Sequence, residues 1–166
     1  GALGSLVNTS TVLMRLASTL TLDNSTAVNG TSIYSGGTQG RFGDATALSL
    51  NGGNFRLLGA ASAQTVETIG AVTVEAGPGQ LTIQRSTGAG SAQLNIASLS
   101  RAGTSPATRG ALLITSSGAG LLGIPSPTPT SYDRLVITGG SINGAPTVRG
   151  SITANGAGVV AGGSGM

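Results

Sequence analysis

Leu48-Ser49-Leu50-Asn51-Gly52-Gly53-Asn54-Phe55-Arg56-Leu57 sets two short apolar–polar alternations on either side of a corner of Asn and Gly. Alternation with a period of two puts one set of side chains on one face of a β-strand. Gly and Asn tolerate the left-handed backbone that a sharp corner demands. The same pattern recurs along the chain. Leu20-Thr21-Leu22 runs into Asp23-Asn24, Val72-Thr73-Val74 into Glu75-Ala76-Gly77-Pro78-Gly79, and Leu135-Val136-Ile137 into Thr138-Gly139-Gly140. Leu81-Thr82-Ile83, Leu94-Asn95-Ile96 and Leu112-Leu113-Ile114 continue the series, with secondary strands at Val66 to Ile69 and Ala97 to Leu99. The expectation is strands of three to five residues cut by frequent corners. Helical periodicity is nearly absent. Its best candidate is Thr11-Val12-Leu13-Met14-Arg15-Leu16-Ala17, after which Leu20 and Leu22 alternate with Thr19 and Thr21.

Spacing points to a coil. Leu20 to Leu48 is 28 residues, Leu48 to Val72 is 24, and Val72 to Leu94 and Leu113 to Leu135 are 22 each. A turn of that length holding two or three short strands suits a parallel β-helix, a β-solenoid. At ~4.8 Å between stacked strands, about six or seven coils make a rod about 30 Å tall. The competing architecture is an irregular sandwich or barrel with strands every ~8–12 residues.

Composition agrees with a thin aliphatic core. The 166 residues include 29 Gly, with 39% apolar, only 8% charged and a net charge of +3. Disordered chains combine low hydrophobicity with high net charge, so this one is expected to fold. Trp is absent, and only Tyr34, Phe42, Phe55 and Tyr132 are aromatic, too few rings for the core of a compact sandwich. All eight basic residues are Arg, at 15, 41, 56, 85, 101, 109, 134 and 149. They are nearly evenly spread, whereas nucleic-acid binding needs a clustered basic face, so no nucleic-acid partner is expected. With neither Cys nor His, disulfides, thiolate metal sites and most nucleophile chemistry are excluded. No apolar run approaches the ~18 residues of a membrane helix, so no transmembrane segment is expected. The first residue is Gly rather than Met, and the expectation is a processed or excerpted chain whose signal and anchor lie outside it.

Residues 1–166 are expected to form a single segment with one interruption. Gly118 to Thr130 holds three of the six prolines, and Pro cannot donate to a strand ladder. A loop leaving the body is expected at 118–131, followed by a terminal part at 132–166 whose Val159-Val160 offers a further strand or a flexible end.

Arg41-Phe42-Gly43-Asp44-Ala45-Thr46-Ala47-Leu48-Ser49-Leu50-Asn51-Gly52-Gly53, continued through Glu67-Thr68-Ile69-Gly70-Ala71-Val72-Thr73-Val74, resembles autotransporter-associated β-strand repeats. Upstream, Leu20-Thr21-Leu22-Asp23-Asn24-Ser25 is similar, as is Leu94-Asn95-Ile96-Ala97-Ser98-Leu99-Ser100-Arg101 downstream. The resemblance covers about residues 16 to 116. It implies a right-handed parallel β-helix in the passenger region of a large secreted bacterial protein, extracellular or at the bacterial cell surface. It also implies a role in surface structure, adhesion or fibres, and offers no active-site residue to carry over.

Parallel β-helices include enzymes acting on polysaccharides, which need paired carboxylates at a fixed separation. The acids are Asp23, Asp44, Glu67, Glu75 and Asp133. Glu67 and Glu75 on neighbouring faces, with Asp44 one coil away, are the candidates for an enzyme. The plainer expectation makes each acid a turn residue or a surface partner of an Arg such as Arg41 or Arg85. Gly118-Ala119-Gly120-Leu121-Leu122-Gly123 matches a dinucleotide fingerprint, but Pro125, Pro127 and Pro129 forbid the helix that must follow. No calcium loop is present. Asn8-Thr9-Ser10, Asn24-Ser25-Thr26 and Asn29-Gly30-Thr31 are sequons of the kind a chain rich in Asn, Ser and Thr produces freely. No catalytic, cofactor-binding or metal-binding residue is assigned, and no cofactor is expected.

A β-helix leaves unpaired strand groups at both ends, and nothing here reads as a capping helix or charged lid. The expected partners are further coils of the same polypeptide or another copy, and head-to-tail contacts that do not close make filaments. Asn24, Asn51, Asn54 and Asn95 are candidates for hydrogen-bonded ladders between coils. The leading expectation is therefore a non-catalytic structural segment. The alternatives are an adhesin that binds a host or matrix glycan through the Pro-rich loop, and the polysaccharide enzyme.

Overall fold

The computed structural model describes residues 6, 8–25, 40–86, 90–102, 110–116 and 133–138, and the backbone of 142–143, 152–154 and 158–160. It is all-β, with no helix among the described residues. The strands are β1 (Thr11–Arg15), β2 (Thr19–Asp23), β3 (Ala47–Asn51), β4 (Asn54–Leu58), β5 (Gln64–Val74), β6 (Pro78–Gln84), β7 (Ser91–Arg101), β8 (Ala111–Thr115), β9 (Asp133–Ile137), β10 (Ile142–Asn143), β11 (Ile152–Ala154) and β12 (Gly158–Val160).

From β1 to β9, successive strands alternate between two parallel sheets. One has the order β1-β3-β5-β7-β10, with β9 also paired to β7; the other has the order β2-β4-β6-β8. Each strand up to β8 therefore pairs in parallel with the strand two places away, never with its chain neighbour. Among the described residues, the only antiparallel strand pair is β11 with β12, beyond Ile137.

The corners stack as the strands do. Ala17 N–H donates to the Gly52 carbonyl and Asn54 N–H to the Ser18 carbonyl. Gly52 has a φ of 82°, the left-handed backbone anticipated for the Asn51-Gly52-Gly53 corner, and Gly77 repeats it at 92°. Ala17 turns the first corner with a φ of 62°. The Thr11–Ala17 stretch, the best helical candidate by periodicity, is thus strand β1 and a turn. Its apolar residues obey a period of two, with Val12 and Met14 facing inward and Leu13 outward.

Register corrects the coil spacing. Leu48 does lie beside Val72. Leu20, however, pairs with Phe55 rather than Leu48, Val72 with Leu99 rather than Leu94, and Leu135 with Leu94 rather than Leu113. The offset between paired residues is 36 from Thr11 to Ala47 and 24 from Leu48 to Val72. It is 27 from Val72 to Leu99 and 41 from Ala92 to Asp133. Distances along the chain mixed strands of different sheets, because the segments between strands vary in length.

β5 and β7 also depart from expectation, since each runs for 11 residues. In β5 the buried positions are 65, 67 and 69, and then 70, 72 and 74, so the alternation slips by one at Gly70. Gly70 N–H donates to the Thr46 carbonyl. The strand bends there without ending.

Inward side chains form rows across the sheets. Val12, Leu48, Val72 and Leu99 make one, Met14, Leu50 and Val74 a second, and Leu20, Phe55, Leu81 and Ile114 a third. Leu48, Leu50, Phe55, Leu57, Ile69, Val72, Leu81, Ile83, Leu94 and Ile96 are sealed from solvent. Burying each such side chain stabilises the fold by roughly 1.5–3 kcal/mol. The core is aliphatic with one aromatic pair, Phe42 and Phe55, whose rings meet edge to face at 5.6 Å. The Pro-rich stretch at 118–131 and most of 132–166 lie outside the described residues.

Candidate functional site

Burial along the inward rows fades toward both ends of the sheets. The middle residues are sealed, whereas Val12 and Leu20 at one end and Leu112, Ile114, Leu135 and Ile137 at the other are only partly buried. Large apolar side chains break the surface in the same places. Leu6, Leu13 and Leu16 are 36%, 46% and 75% exposed, all beside β1, and Leu113 on β8 is 57% exposed. β1, β2 and β8 are terminal strands of their sheets among the described residues, and no described strand pairs with the outer edge of any of them.

The outward faces are polar and largely self-satisfied. Thr73 and Ser100 hydroxyls meet at 3.1 Å across β5 and β7. Across the other sheet, the Thr82 hydroxyl donates to Asn54 Oδ1 at 3.3 Å and meets Thr115 Oγ1 at 3.2 Å. On β7, Gln93 Nε2 donates to Asn95 Oδ1 at 2.7 Å, Asn95 Nδ2 to Thr68 Oγ1 at 3.3 Å, and Arg134 Nε to Gln93 Oε1 at 3.0 Å. These rows tie neighbouring strands together. They are mixed, however: Asn51 faces Arg15, Asn54 faces Thr19 and Gln80, and Asn95 faces Thr68 and Val136. Of the four candidates for ladders of Asn, Thr and Ser between coils, Asn54 joins Thr82 and Thr115 in one row and Asn95 joins Thr68 in another. Asn24 is instead sealed beyond the end of β2, and its amide has no hydrogen-bond partner among the described residues. Its sequon therefore presents no accessible acceptor nitrogen, while Asn8 is exposed and Asn29 lies outside the described residues.

The acids divide into two classes. Asp23 is an exposed turn residue whose carboxylate accepts the Ser25 N–H and hydroxyl, and these bonds hold its pKa below the usual carboxylate value. Glu75, just beyond β5, accepts the Ser49 hydroxyl at 2.9 Å, and Asp44 is exposed. These three fit the expectation of turn and surface acids. Glu67 and Asp133 do not, because both are fully buried. Glu67 alternates in phase with Thr65 and Ile69, so β5 carries it inward beside Leu94. Its Oε1 accepts the Phe42 N–H at 2.7 Å and its Oε2 the Arg41 N–H at 3.2 Å. Burial pushes its pKa up to about 6 against the opposing pull of those two amides, with nearby Asp44 adding to the rise and Arg41 opposing it. Asp133 opens β9 in phase with Leu135 and Ile137. It accepts the Arg85 N–H at 2.7 Å and the Ser116 hydroxyl, and burial raises its pKa as well.

A carboxylate sealed behind the Arg41–Phe42 backbone cannot meet a polysaccharide, so Glu67 drops out of the enzyme candidate set with Glu75 and Asp44. Among the described residues, no three of His, Cys, Asp and Glu gather as a metal-holding group, and no helix is long and apolar enough to cross a membrane. The loop offered for glycan binding and the Gly118–Gly123 motif lie outside the described residues. Comparisons with protein-family models, with curated proteins and with solved structures find no match for this chain.

Proposed function

We propose that this chain is a section of right-handed parallel β-solenoid, a non-catalytic scaffold of an extracellular fibre or bacterial surface passenger that stacks end to end on itself or on adjacent repeats. Alternation of successive strands between two parallel sheets supports the coil, since a chain winding in one sense returns to each face once per turn. Right-handed crossover is the near-universal hand of parallel connections. The phrases that resemble autotransporter-associated repeats supply the extracellular, bacterial setting.

The observation that carries the scaffold role is that, among the described residues, the large exposed apolar side chains lie on or beside terminal strands. Leu6, Leu13, Leu16 and Leu113 surround open backbone edges, while every middle row is sealed. A further parallel layer satisfies both needs at once, by pairing the edge and covering the half-buried Val12 and Leu20. Joints of this kind do not close into a ring, so they propagate. Electron microscopy of the purified chain tests the reading. Unbranched fibres of uniform width are the expected result, and isolated monodisperse particles at high concentration overturn it.

A further inference from the structure

Alternation alone leaves the register of these sheets underdetermined. A one-residue slip turns every inward side chain outward, but a two-residue slip keeps the alternation intact. Leu135 beside Ile96 would fill the interior much as Leu135 beside Leu94 does. Chain length does not settle the register either, since the offset is 24 between Leu48 and Val72 and 41 between Ala92 and Asp133. The ambiguity is greatest after the two longest connections between strands, 24–46 and 116–132. A sealed carboxylate meets the chain on its return from each of them. On the first return, Glu67 accepts the Arg41 and Phe42 amides at 3.2 and 2.7 Å. On the second, Asp133 opens β9 and accepts the Arg85 amide at 2.7 Å together with the Ser116 hydroxyl.

We propose that Asp133 is a register pin for β9: it selects one pairing with β7 out of the several that the apolar pattern permits, because only there do its oxygens meet donors. A slip of two residues moves Asp133 by about 6–7 Å along β7, out of hydrogen-bond reach of the Arg85 amide. In one direction it would lie beside Leu94, in the row of Glu67 and Leu135. A buried carboxylate that has lost its donors is strongly disfavoured. Glu67 shows the same arrangement at the first return, and Gly40 narrows the choice there. A β-carbon in the place of Gly40 would overlap the Glu67 carboxylate. A slip of two would bring Thr38 or Phe42 to that place, and both carry side chains. The aliphatic rows exclude odd slips, and the buried acids exclude even ones. This inference does not depend on end-to-end stacking.

Cysteine pairs in the full chain, which has no cysteine of its own, read the register of β9. Gln93 pairs with Arg134 and Asn95 with Val136. Gln93→Cys/Arg134→Cys therefore reports the observed register. Gln93→Cys/Val136→Cys and Asn95→Cys/Arg134→Cys report the two slips of two residues. Paired strands lie ~4.8 Å apart, within disulfide reach, and a two-residue offset exceeds that reach. With Asp133 present, only the 93–134 pair is expected to close under mild oxidation. Asp133→Leu keeps an apolar inward residue and is expected to let a slipped pair close at least about tenfold faster. Slipped pairs that close equally fast with and without Asp133 overturn the proposal. Where Asp133→Leu fails to fold, Ser116→Ala removes one donor without touching an inward row. Slipped closure is then expected to rise about threefold, and no rise overturns the pin.

Discussion

Gly40 faces Glu67 so closely that a β-carbon on it would overlap both carboxylate oxygens. The contact explains why an acid sits in an otherwise aliphatic row. The Arg41 and Phe42 amides both donate to the Glu67 carboxylate, which serves them as a strand carbonyl would in a ladder. Gly40→Ala is expected to push the carboxylate off these amides and destabilise the fold by about 2 kcal/mol, the cost of buried polar groups left unpaired. Urea denaturation measures this. In the double variant Gly40→Ala/Glu67→Ala the two losses are expected not to add, because both remove one interaction. Full additivity would show that the alanine acts through some other contact.

The pH dependence of global stability follows from the same residue. A carboxyl whose folded pKa of about 6 exceeds its ordinary 4.5 contributes most to stability below pH 4.5. That contribution disappears as pH rises through 6 and amounts to about 2 kcal/mol for a shift of this size. Asp133 is raised as well and adds in the same direction. Urea midpoints are therefore expected to be higher at pH 5 than at pH 7. Glu67→Gln should remove most of the difference, and Asp133→Asn a further part. A chain whose carboxylates all sat in surface ion pairs would behave the other way.

How much of this was legible in the sequence can be argued residue by residue. Leu48-Ser49-Leu50 and Phe55-Arg56-Leu57 declared their strands, and the Gly52 corner lies between them, because alternation and turn chemistry are local signals. Pairing was not local. Leu20 was assigned to Leu48 because the pattern does not encode how much chain a corner consumes, and the segment between Asp23 and Ala47 is long. Val66 to Ile69 and Ala97 to Leu99 read as separate short strands, yet the β5–β7 ladder skips only the Gly70–Ala97 position and resumes at Ala71 and Ser98. Glu67 was readable in principle, since its phase with Thr65 and Ile69 points it inward. Its charge argued for the surface, and only the arrival of two amides from Arg41 and Phe42 makes the interior tolerable.

Gly70 and Gly77 make a contrast that separates close packing from backbone conformation. A β-carbon on Gly70 would come within 2.6 Å of the Ala45 carbonyl oxygen, whereas one on Gly77 meets nothing closer than 3.8 Å. Gly77 nevertheless has a φ of 92°. Gly77→Ala is expected to cost about 1–2 kcal/mol for the left-handed conformation alone. Gly70→Ala must displace the backbone at the bend of β5 and is expected to cost about 3 kcal/mol. Thermal unfolding of the two variants side by side checks the order, and the reverse order would mean that β5 does not bend against Ala45.

The last prediction separates stacking from folding. Leu13 and Leu16 are exposed at the open β1 edge, so replacing them leaves the sealed rows intact. Leu13→Glu/Leu16→Glu is expected to change the unfolding free energy by less than about 0.5 kcal/mol, as ordinary surface substitutions do. It is also expected to abolish end-to-end association, because two carboxylates buried in the joint would lack partners. Leu50→Ala, by contrast, empties a fully buried position and should cost about 2–5 kcal/mol, weakening the fold and the assembly together. Light scattering and urea denaturation on the same samples read both properties. If the double variant associates as readily as the wild type, the β1 edge is not the joint, and the exposed leucines have no part in stacking.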